Sequence, residues 1–323
     1  MVFQSRSFIN FMIKRIAVTI MLVFSAAAVN ASGLGFARQD GGKAGAFLSF
    51  GAGARALGMG KTFVGVADDA SAVYWNPAGL VQLTEKELTL LYASLYEQTG
   101  YSFVSYAHPL SFGAVGAAVV NLNSGGFALR DEYNYELGEA GLSETAAIVS
   151  YAKTIINDET GAIGEVSAGV NIKAVQQSIN AVTGTGFGAD LGAYWSPRFI
   201  KGFYSGLSLR NVVAPRLKLA DETDTYPLSA VLGAAYLCMN DALLLAVDVD
   251  KTDGREYKLH LGGEYTIMEA FHLRAGLDET ELAAGFGFDW SGYSIDYTFA
   301  WHDAWDEYEN LGISHRFGLT ARF

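Results

Sequence analysis

The sequence predicts an all-β fold: a 14-stranded antiparallel transmembrane β-barrel with an N-terminal hatch, or plug, in its lumen. Three observations predict it. From Glu87 to Phe323 the chain is a succession of runs that alternate apolar and polar residues. The composition is rich in glycine (37), Tyr (17) and Phe (20) and poor in proline (5), which suits long closed strands better than an α/β enzyme. Ahead of the runs lies a Gly-rich, irregular stretch that ends in Ala67-Asp68-Asp69-Ala70-Ser71-Ala72-Val73-Tyr74-Trp75-Asn76-Pro77-Ala78-Gly79-Leu80.

Residues 1–31 read as a cleaved signal peptide. Arg6, Lys14 and Arg15 form a basic start, Ile16 to Val29 an apolar core, and Val29-Asn30-Ala31 a small-residue cleavage site. The core is short for a membrane span, and a retained anchor is the alternative. Removing residues 1–31 leaves 19 basic against 34 acidic side chains, a charge of −15. So acidic a chain makes nucleic acid a poor partner. The single cysteine, Cys238, excludes an internal disulfide framework and a Cys-rich metal site.

Residues 32–86 form the expected hatch. Its glycines permit unusual dihedrals and close packing. Phe47, Leu48, Phe50, Leu57, Met59 and Phe63 give it something to bury, against the alternative of a disordered linker. Gly58-Met59-Gly60-Lys61-Thr62 resembles the end of a phosphate-binding loop, but Arg55 stands where that motif needs its first glycine. Asp68–Leu80 reads as two short helical turns. An Asp caps the first. Asn76 caps the second, with Pro77 at its first position and Gly79 or a neighbour ending it. Asp68, Asp69, Trp75, Asn76, Pro77 and Gly79 are the candidate hatch or gate motif, with Trp75 and Asn76 inside the barrel. Asp68-Asp69 also admits a cation-site reading beside the capping one.

Residues 87–323 form the expected barrel. The candidate strands are 87–96, 101–108, 113–123, 143–153, 165–178, 186–196, 203–213, 227–238, 242–250, 257–267, 270–278, 281–290, 293–302 and 310–323. In the last, Ile313, Phe317, Leu319, Ala321 and Phe323 share one face, and Ser314, Arg316, Gly318, Thr320 and Arg322 the other. Filling a closed sheet this wide with apolar side chains is hard. Turned outward, the same faces meet lipid, and closure leaves no unpaired edge in hydrocarbon. A soluble extracellular β-protein is the remaining alternative. The longest loops, 124–142 and 214–226, and an acidic loop, 303–309, fall on the expected outer side.

Inward-facing charges include Arg210, Glu264, Arg274, Asp296, Arg316 and Arg322. They read either as a polar conduit or as pairs that stiffen the wall and anchor the hatch. The five histidines, at 108, 260, 272, 302 and 315, are scattered. No serine sits in a nucleophile elbow. No enzyme activity, metal site or cofactor is expected.

The pieces Gly53-Ala54-Arg55-Ala56-Leu57-Gly58-Met59-Gly60, Ala67-Asp68-Asp69-Ala70-Ser71-Ala72 and Asn76-Pro77-Ala78-Gly79-Leu80 resemble the PorV/PorQ family. So do Gly206-Leu207-Ser208-Leu209-Arg210-Asn211, Leu273-Arg274-Ala275-Gly276 and Leu311-Gly312-Ile313-Ser314-His315-Arg316. That family is similar to the FadL-type outer-membrane fatty-acid transporters. The resemblance implies a fourteen-stranded outer-membrane barrel with an N-terminal hatch. It also implies either carriage of a hydrophobic small molecule or a PorV-like role binding an exported protein in type IX secretion. The ending Arg316-Phe317-Gly318-Leu319-Thr320-Ala321-Arg322-Phe323 resembles the last-strand signal read by the barrel-assembly machinery, with Gly318 and Phe323 as its marks. The implied partners are outer-membrane lipid, that machinery and the cargo.

Overall fold

The computed structural model describes residues 43–95, 99–159, 163–180, 182–220, 222–302 and 312–323. The expected signal peptide and the acidic loop 303–309 lie outside the described residues. The first seven strands are β1 Glu87–Ser94, β2 Thr99–Leu110, β3 Gly113–Arg130, β4 Glu136–Asp158, β5 Gly164–Ile179, β6 Val182–Ser196 and β7 Phe203–Val213. A small hairpin follows, β8 Arg216–Leu219 and β9 Glu222–Thr225. The remainder are β10 Ser229–Cys238, β11 Leu243–Thr252, β12 Tyr257–Ile267, β13 Phe271–Leu277, β14 Glu281–Trp290, β15 Tyr293–His302 and β16 Gly312–Arg322.

All but β8 and β9 join one closed barrel, with β7 beside β10 and β1 beside β16. That is the fourteen-stranded antiparallel barrel the alternation predicts. Closure runs from Glu87 opposite Arg322 to Ser94 opposite His315. Lys86 N donates to Phe323 O at 3.2 Å, and Phe323 N returns a bond to Lys86 O at 3.0 Å.

The outward row is apolar. Leu282, Phe286, Phe288, Ile295, Phe299, Trp301, Ile313, Phe317 and Leu319 are all exposed. Their strand neighbours Asp296, Thr298, Ser314, Arg316 and Thr320 are buried inside. An apolar belt outside and polar groups within is the alternation of a membrane barrel.

Two expected loops are corrected. Residues 124–142 are mostly strand, because β3 and β4 go on pairing past a slip between Ser124 and Phe127. The turn is closed by Asp131, whose Oδ1 accepts the N–H groups of Tyr133 and Tyr135 at 2.9 and 2.8 Å. Residues 214–226 hold the β8–β9 hairpin, which folds against the inward glycines of β6. A Cβ at Gly184 or Gly186 would lie 2.8 Å from Lys218 O or Arg216 O. Leu217 is fully buried there. The glycine face that accepts a hairpin is a tertiary property.

The wall slips once more between β6 and β7. Leu191 faces Leu209, but Ala189 faces Val213, so β7 carries two extra residues. Asn211 takes a left-handed φ of 60° there, as asparagine tolerates better than most residues.

Candidate functional site

Residues 44–83 run through the lumen. Their partners lie all round the wall, from Tyr101 on β2 and Asn171 on β5 to Asp248 on β11 and Thr298 on β15. Four short helical pieces make up the segment: a 3-10 turn Ala46–Ser49, helix α1 Ala54–Gly58, helix α2 Ala72–Trp75 and a 3-10 turn Pro77–Gln82. None is long enough to be stable alone. Burial against the wall holds them, with Phe47, Leu57, Met59, Phe63, Val73, Trp75 and Leu80 all in the core.

Each residue of the candidate motif has a defined place. Asp69 Oδ1 accepts from Ser71 N at 2.8 Å and Ser71 Oγ at 2.5 Å. It thus supports the start of α2 from two residues before the N-cap, which is Ser71. Asp68 Oδ1 accepts from Arg55 Nη1 at 2.6 Å. Trp75 is buried and donates from Nε1 to Ala52 O at 2.8 Å. Asn76 caps the second turn, its side chain accepting from Ala78 N at 3.2 Å, with Pro77 at the first position. The other end of the same side chain donates to Val64 O at 3.0 Å and Ala193 O at 2.9 Å. One amide therefore joins the cap, the segment and strand β6. Gly79 does not end its turn, which continues to Gln82. Its glycine serves close approach instead: a Cβ would sit 2.2 Å from Ala67 O.

The inward charges are mostly paired, and several pairs include the segment. Arg55 on α1 reaches Glu264 on β12 at 2.9 Å and Asp69 at 3.6 Å. Glu264 also accepts from Arg274 at 2.6 Å, and Arg274 continues to Asp296 at 2.5 Å. Fully buried Arg316 grips Glu281 through two bonds of 2.8 and 2.5 Å. Arg322 binds Glu87 at 3.0 Å, and Glu87 accepts Ala70 N at 2.7 Å. Arg210 reaches no carboxylate among the described residues. Its guanidinium lies 5.5 Å from the Tyr74 ring and 5.6 Å from the Trp75 ring.

These contacts set the protonation of the segment. Burial opposes the charge on Arg55, but Asp68 and Glu264 outweigh it and raise its pKa. Burial likewise opposes the charge on Lys61, and Asp278 and Glu281 more than restore it. Asp69 is pushed up to about 7, first by burial and then by the charge of Glu87.

Sequence reasoning missed several of these contacts. Asp248 Oδ2 accepts the N–H groups of Phe63 and Val64, both at 2.9 Å. Asn171 donates to Val73 O at 2.9 Å. Lys61, in the loop that mimics a phosphate-binding motif, pairs with Asp278 at 2.8 Å. Gly60 beside it is a contact residue, since a Cβ there would lie 2.4 Å from Leu277 N. The signal for Asp248 was its inward parity on β11; nothing in the sequence tied it to residues 63–64.

Ligand atoms of His260, Asp278 and Glu279 lie within 4.8 Å of one another, the spacing of a metal site. Lys61 and Lys258, the latter 2.7 Å from Glu279, neutralise its two carboxylates. Two cavities flank the segment. One of about 180 Å³ lies at the barrel end away from Phe323, lined by Tyr74, Trp75, Arg210, Asp248 and Asp250 among others. The other, about 190 Å³, lies at the opposite end, lined by Arg55, Asp68, Gln82, Tyr204, Asp241 and Glu264 among others. They share no lining residue.

Gly318 packs against α1, where a Cβ would meet Ala54 Cβ at 2.7 Å. Phe323 is exposed on the outer face and stacks on Tyr106 at 6.5 Å.

A family model described as "F plasmid transfer operon, TraF, protein" matches residues 150–250. No curated protein matches the sequence. Among solved structures, the toluene transporter TbuX of Ralstonia pickettii superposes with a TM-score of 0.61 at 13% identity, covering 84% of this chain and 98% of that one. The toluene transporter TodX of P. putida gives 0.63 at 12% identity, covering 84% and 99%. A Pseudomonas aeruginosa FadL homologue gives 0.58 at 14% identity, covering 84% and 98%. At such identities the likeness is one of fold: this chain shares the barrel of the FadL-type transporters.

Proposed function

We propose that the chain is an outer-membrane carrier of small hydrophobic molecules, with residues 32–86 as a hatch that gates the lumen. The observation that carries this reading is the position of the lumenal segment between two separate cavities. A solute crossing the barrel would have to move it. Irregular backbone at membrane depth is tolerated only within protein or beside a water-filled space, and this segment meets that condition through its bonds to the wall. The bulge between β6 and β7, where the ladder is locally disrupted and the β8–β9 hairpin packs on the inner face of β6, is the place in the wall where this reading puts a sideways exit. The apolar outer belt supports the membrane setting, and the fold shared with two toluene transporters supports the cargo class. In this reading residues 1–31 are the cleaved signal, the end bearing Phe323 faces the periplasm, and the terminal aromatic serves insertion.

The test is uptake of a hydrophobic fluorescent dye by cells carrying the chain in their outer membrane. Uptake above that of cells without it is expected, rising further in a variant that loosens the segment, such as Glu264→Gln. Uptake no faster than in control cells, in both wild type and variant, would overturn the carrier reading.

A second reading has its own support. The β3–β4 ribbon ends in Tyr133, Tyr135 and Leu137, all about 70% exposed, beyond the reach of neighbouring strands. Such a tip suits a PorV-like platform for an exported protein. Replacing all three by serine would abolish capture of exported proteins on this reading and leave dye uptake unchanged on the first.

A further inference from the structure

The cavity at the end away from Phe323 contains charges that do not cancel. Most of the basic groups around it are matched: Lys61 with Asp278 at 2.8 Å, Lys173 with Asp190 at 2.6 Å, Lys258 with Glu279 at 2.7 Å. Arg210 is different. Its closest hydrogen-bond acceptor is Trp75 O, at 3.5 Å from Nη2, and its buried Nε has no partner. Among the described residues no carboxylate lies within 4.0 Å of it.

Two carboxylates of β11 line the same cavity: Asp248, whose Oδ2 holds Phe63 N and Val64 N while its Oδ1 has no partner, and Asp250, which is the complementary case to Arg210. Asp250 Oδ1 accepts from Ser229 Oγ at 2.9 Å and Thr252 Oγ1 at 3.2 Å. Among the described residues it has no ion-pair partner. The wall puts the two groups near one another. Arg210 faces Ser229 across β7 and β10, and Ser229 faces Thr252 across β10 and β11. Asp250 stands two residues from Thr252 on the same face. A guanidinium and a carboxylate thus line one void without touching each other.

Separated charges in a confined space are costly unless something completes them. A ligand with one negative and one positive group would complete both. The planar fork of an arginine matches a carboxylate, and a carboxylate that already accepts two hydroxyls matches an ammonium. A cavity of about 150 Å³ holds benzene, so about 180 Å³ holds a molecule of comparable bulk with its polar groups at the open side. The rings of Tyr74 and Trp75 supply an apolar wall beside Arg210.

We propose that this cavity binds a small zwitterion of amino-acid class, with its carboxylate on Arg210 and its ammonium on Asp250. The site goes beyond the carrier reading and does not depend on it, because binding is read on the purified chain and carriage on cells. The probes for calorimetric titration of the purified full chain in detergent are L-phenylalanine, 3-phenylpropionate, phenethylamine and toluene. L-phenylalanine is expected to bind tightest, with each singly charged analogue about tenfold weaker or more. Arg210→Gln should weaken L-phenylalanine and 3-phenylpropionate about tenfold and leave phenethylamine unchanged. Asp250→Asn should do the reverse. Heat-modifiability on gels verifies that each variant is folded, and if one fails to fold the other decides. No binding of L-phenylalanine, equal binding of toluene, or a loss in either variant that ignores the ligand's charge would overturn the proposal.

Discussion

The two sides of the barrel hold the lumenal segment by different means. From β11 to β16 the strands pair without a slip. On that side the grip is ionic: Arg55 to Glu264, Lys61 to Asp278, with Glu281 bound to Arg316 behind them. From β3 to β7 the register shifts at several points. There the grip is neutral and close. Asn171 and Asn76 supply amide bonds, and glycines admit backbone to backbone, as at Gly169, where a Cβ would lie 2.4 Å from Ala78 N. A regular wall offers inward side chains at fixed heights, so long charged groups can reach a partner. Glycine contact is common to both sides, since a Cβ at Gly262 or Gly276 would lie 2.1 Å from Met59 O or Gly60 N; the irregular wall relies on such contact without the ionic part. Docking on the ionic side should therefore respond to charge, and docking on the neutral side to volume.

The largest expected effect lies on the ionic side. Glu264→Gln leaves Arg55 and Arg274 without a shared carboxylate. Breaking a buried pair costs about 3 kcal/mol or more, on the order of a hundredfold in a docking equilibrium. Thr62→Cys in a Cys238→Ser background makes a reporter, since Thr62 is buried and its hydroxyl has no partner. Its maleimide labelling should accelerate by that factor. Unchanged labelling would mean that the ionic grip contributes nothing. On the neutral side Gly169→Ala should come next, at about 2 kcal/mol from overpacking against backbone. It should respond little to salt, whereas the looseness of the Glu264 variant should grow with ionic strength; matching salt responses would erase the distinction between the sides.

That distinction was only half legible in the sequence. The strands from 257 onward alternate cleanly, so their faces, and the inward placement of Glu264, Arg274, Asp296 and Arg316, could be read directly. The partners could not. Arg55 and Glu264 are 209 residues apart, and their meeting depends on closure. The Asn76 cap and Pro77 were legible because capping is local chemistry. The role of Gly79 was misread because a glycine near a turn end is the same signal whether it terminates a helix or admits another backbone. The β8–β9 hairpin was hidden for a related reason. Its strands of four residues each carry no period strong enough to read, and they persist by packing on glycines of β6.

A smaller effect should follow pH through Asp69. Burial and Glu87 raise its pKa from 3.8 to about 7 in the docked segment. A displaced segment would return the carboxyl to water and its ordinary value. The docked state then binds the proton more tightly, so docking is strongest below the ordinary pKa and weakens as pH rises toward the docked one. Labelling of the Thr62→Cys reporter should accelerate several-fold between about pH 5.5 and pH 8 after correction for thiolate formation. Asp69→Asn should flatten that profile. An equal slope in the variant would assign the pH response to another group.

The smallest effect tests the joint between cap and wall. Asn76 accepts from Ala78 N and donates to Val64 O and Ala193 O. Its loss removes a cap worth about 1 kcal/mol, and the two donated bonds are of the kind whose net value is again about 1 kcal/mol each. Water that enters beside the loosened turn restores part of this, so the cap value is the better guide. That is too little to unfold a closed barrel, but it shifts a docked segment about fivefold toward its displaced form. Asn76→Ala should therefore stay heat-modifiable on gels, label about fivefold faster at Thr62→Cys and take up hydrophobic dye faster. Asn76→Asp separates the two halves of the amide. It keeps the acceptor for Ala78 N and loses both donors, so labelling as fast as in the alanine variant assigns the effect to the wall bonds. Labelling as slow as wild type assigns it to the cap. A variant that fails to insert would make the motif a folding element. Faster labelling without faster dye uptake would leave a movable segment that gates nothing, and the platform reading would then account better for the barrel.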